Sequence, residues 1–579
     1  MADYGREIVT IVELDFDYCQ LESGTTPPVG AFGADGLSCF NTRESLEGIT
    51  NFTLATMTLR FGHNQDGLPK GTTVYPALRA ISTSALRINP NGIDSTYGAL
   101  GKRERITISL QDFEDNDTYT DNYYDTDPFE AQSKGTFFTK LRARNPFWAG
   151  RAIRVLDGTA GQDLSAMRSR EYVISEWVGP DADGRVTITA KDIFDLVENE
   201  KAVAPAQSQG LLESDVSTGL VSFDLEPSGI GSDYAASGRA SIGGEIVTFT
   251  RSSDTITLTG RGVDGTDEES HAQGDTFQQC YRVEGVHVLD VIADLIENYT
   301  SVSSSYIPAD LWASERIWVA GFDLTCTIAK PTGVKDLLAE ICQLGLMPWW
   351  DPVDKEIKIK AVRPSGYDET LQAVSDEGTI IEKSLGIKDL PEQRLSRVRI
   401  YHGITDAAAG VSDEANYDVC EIRIEPEAEA NAQHAVIQEK VIFMRWLGVG
   451  QTSIVGAVAS RLISRYRDTP RELTMSADYK DRSKLPLSGL LTVDSRLLVD
   501  VTGTRSPTSM QVVSSEEVQP GHEIKITAQT FTYDGRFGFV MQDSANDYDN
   551  ATDDEKNRGC YVVNSGLLFS DNSSAYEAF

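Results

Sequence analysis

Two sets of residues have types and spacings that could bind a metal. Cys19 and Cys39, two of only seven cysteines in 579 residues, flank a loop rich in Gly, Pro and Thr. This pair could form a disulfide, supply half of a metal site, or belong to a structural scaffold. Asp115, Asp117 and Asp121 offer the hard oxygen ligands that Ca²⁺ prefers, but the central glycine and terminal glutamate of an EF-hand are missing. A solvated acidic loop is the alternative interpretation of this run.

No catalytic constellation emerges from the sequence. The six histidines are dispersed, and "GHEIKI" at 521–526 begins like a zinc-protease motif but lacks the second histidine. No Walker loop, CxxC pair or nucleophile elbow occurs. Trp349 and Trp350 could stack on a sugar, or they could close a core directly after an amphipathic helix. The sequence therefore favours a protein that is not an enzyme.

Charge and length limit the class of protein. The net charge is −36, with a pI near 4.5, which argues against a static nucleic-acid binder, because phosphate contacts need clustered Lys and Arg. An acidic wall would still suit a conduit that DNA passes through, and the alternative is acidity that serves solubility. No apolar run is long enough for a membrane span, so we expect no stable membrane insertion. The odd, scattered cysteines predict synthesis in the cytosol rather than a disulfide framework.

The elements that would position these residues predict an α+β, β-rich, multidomain fold. The chain is too long for a single core. Alternating apolar residues predict strands over much of it, and helical spacing appears in three places, at 286–299, 333–345 and 453–468. Thr332 is the expected N-cap of the second helix, and Gly345 is its expected stop. No tandem repeat is evident.

Composition and turn signals divide the chain into five predicted segments. These are 1–210, an N-terminal β-rich domain; 211–280, a small inserted β domain; 281–400, an α+β domain; 401–540, a C-terminal β-rich domain with one amphipathic helix; and 541–579, an acidic C-terminal arm.

Several segments, in a specific order, resemble one family. They are "DFDYC" with "CFNTRESL", "GTFFTKLRARNPFWAGRAIRV", "YAASGRASIGGEIVTFTR" with "TLTGRGVDGT", "RLISRYRDTPRELTMSADYKD" and "DGRFGFVMQDSANDY". This series resembles the tail hub, or tail-tip protein, of long-tailed siphophages and gene transfer agents. That family is similar in plan to the baseplate hub of contractile phages.

The resemblance implies a structural virion protein at the tail tip, assembled in the host bacterial cytoplasm. Such hubs are homotrimers whose β-barrel-type hub domains form a pseudo-sixfold ring below the tail tube. They join the distal tail protein ring to a tail fibre or receptor-binding protein, and they enclose the C-terminus of the tape-measure protein. DNA passes through the ring during genome ejection.

The resemblance also bears on Cys19 and Cys39. Some tail-tip relatives hold an iron–sulfur cluster, which needs about four thiolate ligands. Cys19 and Cys39 supply two, and no other cysteine lies nearby in the sequence. A reduced pair or a single bridge in a scaffold is therefore favoured over a cluster, and no cofactor is expected.

Two alternatives of other classes stay open. An acidic, β-rich, multidomain chain with aromatics is also typical of a virion-borne or secreted polysaccharide or peptidoglycan hydrolase. Residues 211–280 could instead be a carbohydrate- or receptor-binding module.

Overall fold

The structure, a computed structural model, describes residues 7–19, 54–94, 96–115, 135–363, 371–430, 436–519 and 521–530, and two short strands near the C-terminus. In this part of the chain 31 strands accompany six α-helices, distributed over several sheets. The predicted α+β, β-rich, multidomain class is confirmed. The division into five segments stays a prediction.

The first sheet is nearly closed into a barrel. Its spatial order is β2-β1-β6-β7-β8-β5-β3. The elements of this region are β1 (Ile8–Cys19), β2 (Leu54–Gly62), β3 (Leu78–Thr83), β4 (Leu86–Arg87), β5 (Arg105–Gln111), α1 (Phe137–Arg144), β6 (Ala152–Thr159), β7 (Arg168–Val178) and β8 (Arg185–Lys191).

The segment before β3 links the two edges of this sheet. Tyr75 N donates to Arg60 O at 2.8 Å on β2, and Gln111 N on β5 donates to Ala77 O at 2.8 Å. Inside, alternate residues of each strand meet in one core, and α1 closes it by burying Phe137 and Phe138. Buried and exposed residues alternate along each strand because successive side chains point to opposite faces of the sheet.

A small six-stranded unit follows, in the order β10-β11-β14-β13-β12-β15. Its strands, with the preceding β9, are β9 (Val203–Ala204), β10 (Leu211–Leu212), β11 (Ser222–Glu226), β12 (Ser237–Ile242), β13 (Glu245–Ser252), β14 (Thr255–Gly260) and β15 (Phe277–Gln279). β13 and β14 form a hairpin, with Ser253 at φ 56° in its turn.

The middle of the chain is α+β and contributes most of the largest core. Its elements are β16 (Tyr281–His287), α2 (Val288–Tyr299), α3 (Ala309–Arg316), β17 (Asp323–Ile328), β18 (Thr332–Gly333), α4 (Val334–Cys342), β19 (Leu346–Asp351) and β20 (Glu356–Ala361). The predicted helices at α2 and α4 are confirmed. Thr332 as N-cap is wrong: Gly333 occupies that position, because Thr332 lies in β18, paired with Ala204.

The last region contains a three-stranded sheet, β24-β23-β25, with α6 packed on it, and a second barrel-like sheet, β21-β27-β28-β29-β26-β22. The elements are β21 (Gln372–Ser375), β22 (Gly386–Asp389), β23 (Arg397–Ile404), β24 (Tyr417–Ile424), α5 (Pro426–Glu429), β25 (Glu439–Met444), α6 (Thr452–Tyr466), β26 (Arg471–Asp478), β27 (Leu490–Asp494), β28 (Thr508–Gln519), β29 (Glu523–Thr530), β30 (Arg536–Gly538) and β31 (Ala575–Glu577).

The second barrel closes in the same way as the first. β21 runs parallel to β27 at one edge, and the chain then crosses to the other edge, where Ile381 N donates to Ser476 O at 2.9 Å on β26. Apolar residues from β26 to β29, among them Met475 and Val512, fill the interior. Within the described ranges, no helix is long and apolar enough to cross a bilayer.

Candidate assembly surfaces

The predicted metal residues lie mostly outside the described part of the chain. Cys39, Asp117 and Asp121 fall there, and only the backbone of Cys19 is described, at the end of β1. Asp115 is described, and its backbone oxygen accepts a hydrogen bond from Lys140 Nζ at 2.7 Å. Over the described ranges no three His, Cys, Asp or Glu side chains form a group suited to a metal. The weak iron–sulfur and calcium candidates, and the scaffold and solvated loop favoured over them, stay sequence-based predictions.

Three cysteines of the middle region are packing residues. Cys280, Cys326 and Cys342 are buried and free. Burial raises the pKa of each thiol to about 12, so they stay protonated and unreactive at neutral pH.

The tryptophan pair closes a core, as one of the two interpretations predicted. Trp350 is fully buried, and its Nε1 donates to Glu171 O at 3.2 Å. Trp349 is also buried, in a separate small cluster with Met347. Neither ring is free to stack on a sugar.

The buried carboxylate of Glu245 lies at the centre of a hydrogen-bonded cluster in the small β unit, and the sequence did not reveal it. Arg261 Nη2 donates to Glu245 Oε2 at 2.7 Å, and Arg261 Nε donates to Oε1 at 2.9 Å. His271 Nε2 lies 2.7 Å from Oε2, and the amides of Gly262 and Glu269 donate at 3.0 and 3.2 Å. Burial alone would raise the pKa of Glu245, but these donors outweigh it and hold the pKa at about 2.

This carboxylate shapes the loop that fastens the unit to the rest of the chain. Asp264 O accepts from Ala407 N at 3.1 Å, and its carboxylate accepts from Thr327 at 2.6 Å. At Gly265, with φ +84°, an added Cβ would lie 1.6 Å from Thr405 O. Only glycine fits there, so the loop serves as a docking element.

The two barrels are joined by strand β4. Arg87 N donates to Lys102 O at 3.0 Å, next to β5 in the first barrel. On its other side β4 pairs antiparallel with β28, where Ile88 N donates to Val513 O at 2.9 Å. Backbone hydrogen bonding is therefore continuous from one barrel to the other.

Charged side chains reinforce this junction. Arg170, almost fully buried on β7, binds Asp157 at 2.8 Å and Glu517 of β28 at 3.1 Å. Arg168 binds the same Glu517 at 2.6 Å. Despite burial, the two arginines lower the pKa of Glu517, so the junction contains ionised pairs.

Two further carboxyl groups near the junction have raised pKa values. Burial raises the pKa of Glu104 to about 7, opposed by Arg170 and reinforced by Glu517. Asp192, next to Glu104, has a pKa of about 6, mainly through burial. Both groups are enclosed, which removes them from contact with any polymer substrate.

The barrels share one strand arrangement, although the sequence shows no tandem repeat. In the first, β3, β5, β8, β7 and β6 lie side by side, and in the second the neighbours are β22, β26, β29, β28 and β27. In both series the five strands have the same spatial arrangement relative to their order along the chain: the first two are followed by the fifth, fourth and third. The first barrel has one additional hairpin, β1 and β2.

Local register supports the equivalence. β7 and β28 each carry an irregularity at the same place, after Ile174 and after Val512. The strands that follow read "VTITAK" in β8 and "IKITAQ" in β29, and their threonines pair with Glu176 and Ser514 respectively. Glu176 on β7 therefore corresponds to Ser514 on β28.

Equivalent surfaces of the two barrels differ in whether another strand lies beside them. The second half of β28 is covered by β4, which pairs with Ser514 and Ser515. The corresponding half of β7, residues 175–178, has β8 on one side and no other described strand on the opposite side. β22 pairs with β26 alone among the described strands, and all four of its residues are exposed.

A further exposed face lies on the sheet β24-β23-β25. Ile422 and Ile424 on β24, each 48% exposed, and Val441 on β25 stand on this face. Arg399 lies between Ile422 and Val441 in the register. β24 has no second strand neighbour in the described chain. Exposed apolar side chains beside an edge strand are typical of a protein contact.

Comparisons with known proteins give likenesses in structure only. No protein-family model matches the sequence, and no curated protein matches it. A tail protein from Neisseria meningitidis MC58 aligns with 79% of this chain and 98% of its own, at 10% identity and a TM-score of 0.35. The 43 kDa tail protein of prophage MuSo2 from Shewanella oneidensis aligns over 78% and 97%, at 9% identity and a TM-score of 0.34.

Prophage tail protein gp18 from Listeria monocytogenes EGD-e aligns with 79% of this chain and 88% of its own, at 9% identity and a TM-score of 0.33. Other neighbours are components of a phage baseplate and of a gene transfer agent particle. The structure neighbours of this chain thus include phage tail, baseplate and gene transfer agent proteins.

Proposed function

We propose that this protein is the hub of a phage tail tip, a structural virion protein that closes into a ring with copies of itself. The observation that carries the proposal is the pair of equivalent barrels in one chain: a strand covers one lateral surface, and among the described residues no strand lies beside its counterpart. A heterologous contact of this kind, repeated by rotation, generates a closed ring.

The finer parts of the proposal follow the sequence resemblance. Three copies would supply six barrels around one axis, through which DNA would leave the tail. The ring would contact the distal tail protein above, a fibre or receptor-binding protein below, and the C-terminus of the tape-measure protein. The exposed side chains of Ile422, Ile424 and Val441 support contact with such partners, because a partner would cover their apolar surface.

We propose a non-enzymatic role. General acids of hydrolases have raised pKa values and touch their substrate. Glu104 and Asp192 have raised pKa values, but they lie inside the barrel junction. Zymography on cell walls and capsules tests this directly, and clearing that disappears in one Asp or Glu variant would overturn it.

The ring is tested by mass and by particle morphology. Size-exclusion chromatography with light scattering should give three times the mass of the 63.4 kDa chain. Electron microscopy of phage particles should place the protein at the tail tip. A stable monomer that is absent from particles would contradict the proposal.

A further inference from the structure

Strand β24 is an edge of the sheet β24-β23-β25 that lacks the features by which proteins usually protect such edges. Edge strands are kept from pairing with other chains by short length, proline or lysine. β24 is eight residues long and contains neither proline nor lysine. By contrast β22, which also has one described neighbour, is four residues long and includes Lys388. The edge of β24 is therefore suited to a further strand.

The hydrogen bonds at the end of β24 show which residues face this edge. Glu425 N donates to Ser396 O at 2.9 Å, which continues the antiparallel register of β24 and β23. The backbone groups of successive residues point to opposite sides of a strand, so the odd-numbered residues of β24 bond to β23. The amides and carbonyls of Cys420, Ile422 and Ile424 consequently point outward from the edge.

The side chains of β24 form two rows of different chemistry. Ile422 and Ile424, each 48% exposed, stand on the outer face of the sheet. Glu421 and Arg423 lie on the opposite face, where an added Cβ on Gly456 of α6 would lie 3.3 Å from Arg423 Nη2. Neither of these two charged side chains forms an ion pair with a described residue. The edge thus offers an apolar row, a charged row and a line of backbone groups between them.

We propose that an extended segment of a second virion protein adds to β24 as a fourth strand of this sheet. Its apolar residues lie beside Ile422 and Ile424 on the outer face. On the other face an acidic residue lies opposite Arg423 and a basic residue lies opposite Glu421, because opposite charges on neighbouring strands stabilise a sheet. This inference rests on the proposed function and names how one partner of the hub is bound.

The chemistry of the edge favours a protein strand over other occupants. A lipid surface would cover Ile422 and Ile424 but would leave the outward amides without acceptors, which is costly. An added strand bonds to those amides, and its alternating side chains supply specificity. Pairing of β24 with β24 of a second copy requires a two-fold axis, which a three-fold ring does not contain. The occupant is therefore a different polypeptide.

Hydrogen exchange, measured residue by residue, tests the added strand. The amides of Cys420, Ile422 and Ile424 should exchange at least roughly tenfold more slowly in phage particles than in the isolated protein, because the added strand bonds to them. The amides of Glu421 and Arg423, which bond to β23, are the internal control and should be protected in both. Protection of the outward amides in the isolated protein would show that the protein covers its own edge, and would overturn the proposal.

Ile422→Pro tests the same contact through the composition of the particle. Proline removes one outward amide but no bond to β23, and edge strands tolerate it. The variant should still form the oligomer, but its particles should lack one other virion protein, as measured by quantitative mass spectrometry. Ile422→Val keeps the amide and a branched side chain, and as the matched control should leave the composition unchanged. An unchanged composition in both variants would overturn the proposal.

Arg423→Glu is a second variant that leaves the backbone intact, so it keeps the proposal testable if the proline variant does not fold. It places a carboxylate opposite the acidic residue of the added strand, and like charges directly opposite each other destabilise a sheet. Infectivity should fall, and revertant phage should carry a change from an acidic to a basic residue in another virion protein. Revertants with changes in this chain alone would overturn the proposal.

Failure of this inference can be told apart from failure of the proposed function. If the protein is at the tail tip but its outward amides exchange as fast there as in isolation, the added strand is overturned and the hub remains. Absence of the protein from particles would instead overturn the proposed function, and this inference with it.

Discussion

Two buried glutamates, one in the small β unit and one at the barrel junction, differ in the charge state that the fold favours. Five hydrogen bonds reach the carboxylate of Glu245, and its pKa is about 2. Glu104 is also buried, but its neighbours include Glu517 and Asp192, and its pKa is about 7. Burial alone therefore does not set the charge of a carboxyl group; the donors directed at it do.

The largest expected effect is that of Glu245→Ala. The substitution removes the buried carboxylate that faces Arg261, whose side chain is 9% exposed, and leaves only the outer Glu268 as its anion. We therefore expect the small β unit to lose about 3–5 kcal/mol of stability. Native-state hydrogen exchange of β13 and β14 measures this locally, which suits a multidomain chain. A loss below about 0.5 kcal/mol, as for ordinary surface positions, would contradict the conclusion that the donors around Glu245 stabilise its charged form.

The matched control is Glu269→Ala, on the same loop, whose side chain is exposed. The effect of Glu245→Ala should also depend on pH. Because folding lowers the pKa of Glu245 from 4.5 to about 2, the carboxylate stabilises the unit fully above about pH 4.5, and this contribution is lost as the pH falls toward 2.

Glu104→Gln should have a smaller effect, with the opposite pH dependence. Folding raises the pKa of Glu104 to about 7, so wild-type stability falls as the pH rises from about 4.5 to 7. Glutamine cannot ionise, and the variant should therefore be more stable than wild type by about 1–2 kcal/mol at pH 8 and nearly unchanged at pH 4.

Urea-induced unfolding at both pH values measures the difference. Glu176→Gln, an exposed glutamate on β7, is the control and should show no such dependence. Equal effects of Glu104→Gln at both pH values would mean that donors, rather than burial, dominate at the junction. The charged groups facing Glu104 are Arg170, Glu517 and Asp192.

The smallest effect is expected for Glu268→Gln. Glu268 Oε1 lies 3.3 Å from Arg261 Nη1, and the side chain is 40% exposed. Exposed ion pairs contribute roughly 0–1 kcal/mol, so local exchange in the small unit should barely change. A loss comparable to that of Glu245→Ala would show that the position of a carboxylate in this cluster matters more than its burial.

Regular periodicity made the main elements predictable. The helices α2, α4 and α6 follow from apolar spacing, and the structure confirms them. Gly345, the expected stop of α4, has φ +94°. These features depend on residues close in sequence, where pattern and geometry are directly linked.

The carboxylate cluster could not be predicted in the same way. His271 follows Glu245 by 26 residues, and the sequence does not show which of many acids would meet it. The glycines of "GRGVDGT" were the available signal: Gly262 and Gly265 have the positive φ expected of turns. These glycines indicated a loop with unusual backbone geometry, but they did not indicate that Glu245 lies at its centre.

The barrel equivalence was hidden for another reason. A barrel interior requires only that alternate residues be apolar, so two barrels can share strand order with little shared sequence. Only the tripeptide Ile-Thr-Ala is common to the aligned segments "VTITAK" and "IKITAQ". The Cys39, Asp117 and Asp121 predictions fall beyond the described ranges.

Strand β4 has a mechanical consequence. Since it is hydrogen-bonded to both barrels, the two cannot tilt apart without breaking backbone pairing. A ring of such chains would widen at the boundaries between copies and not within them. Each polypeptide, with its two barrels, would then move as one rigid unit when the central opening widens, so the number of moving units would be half the number of barrels.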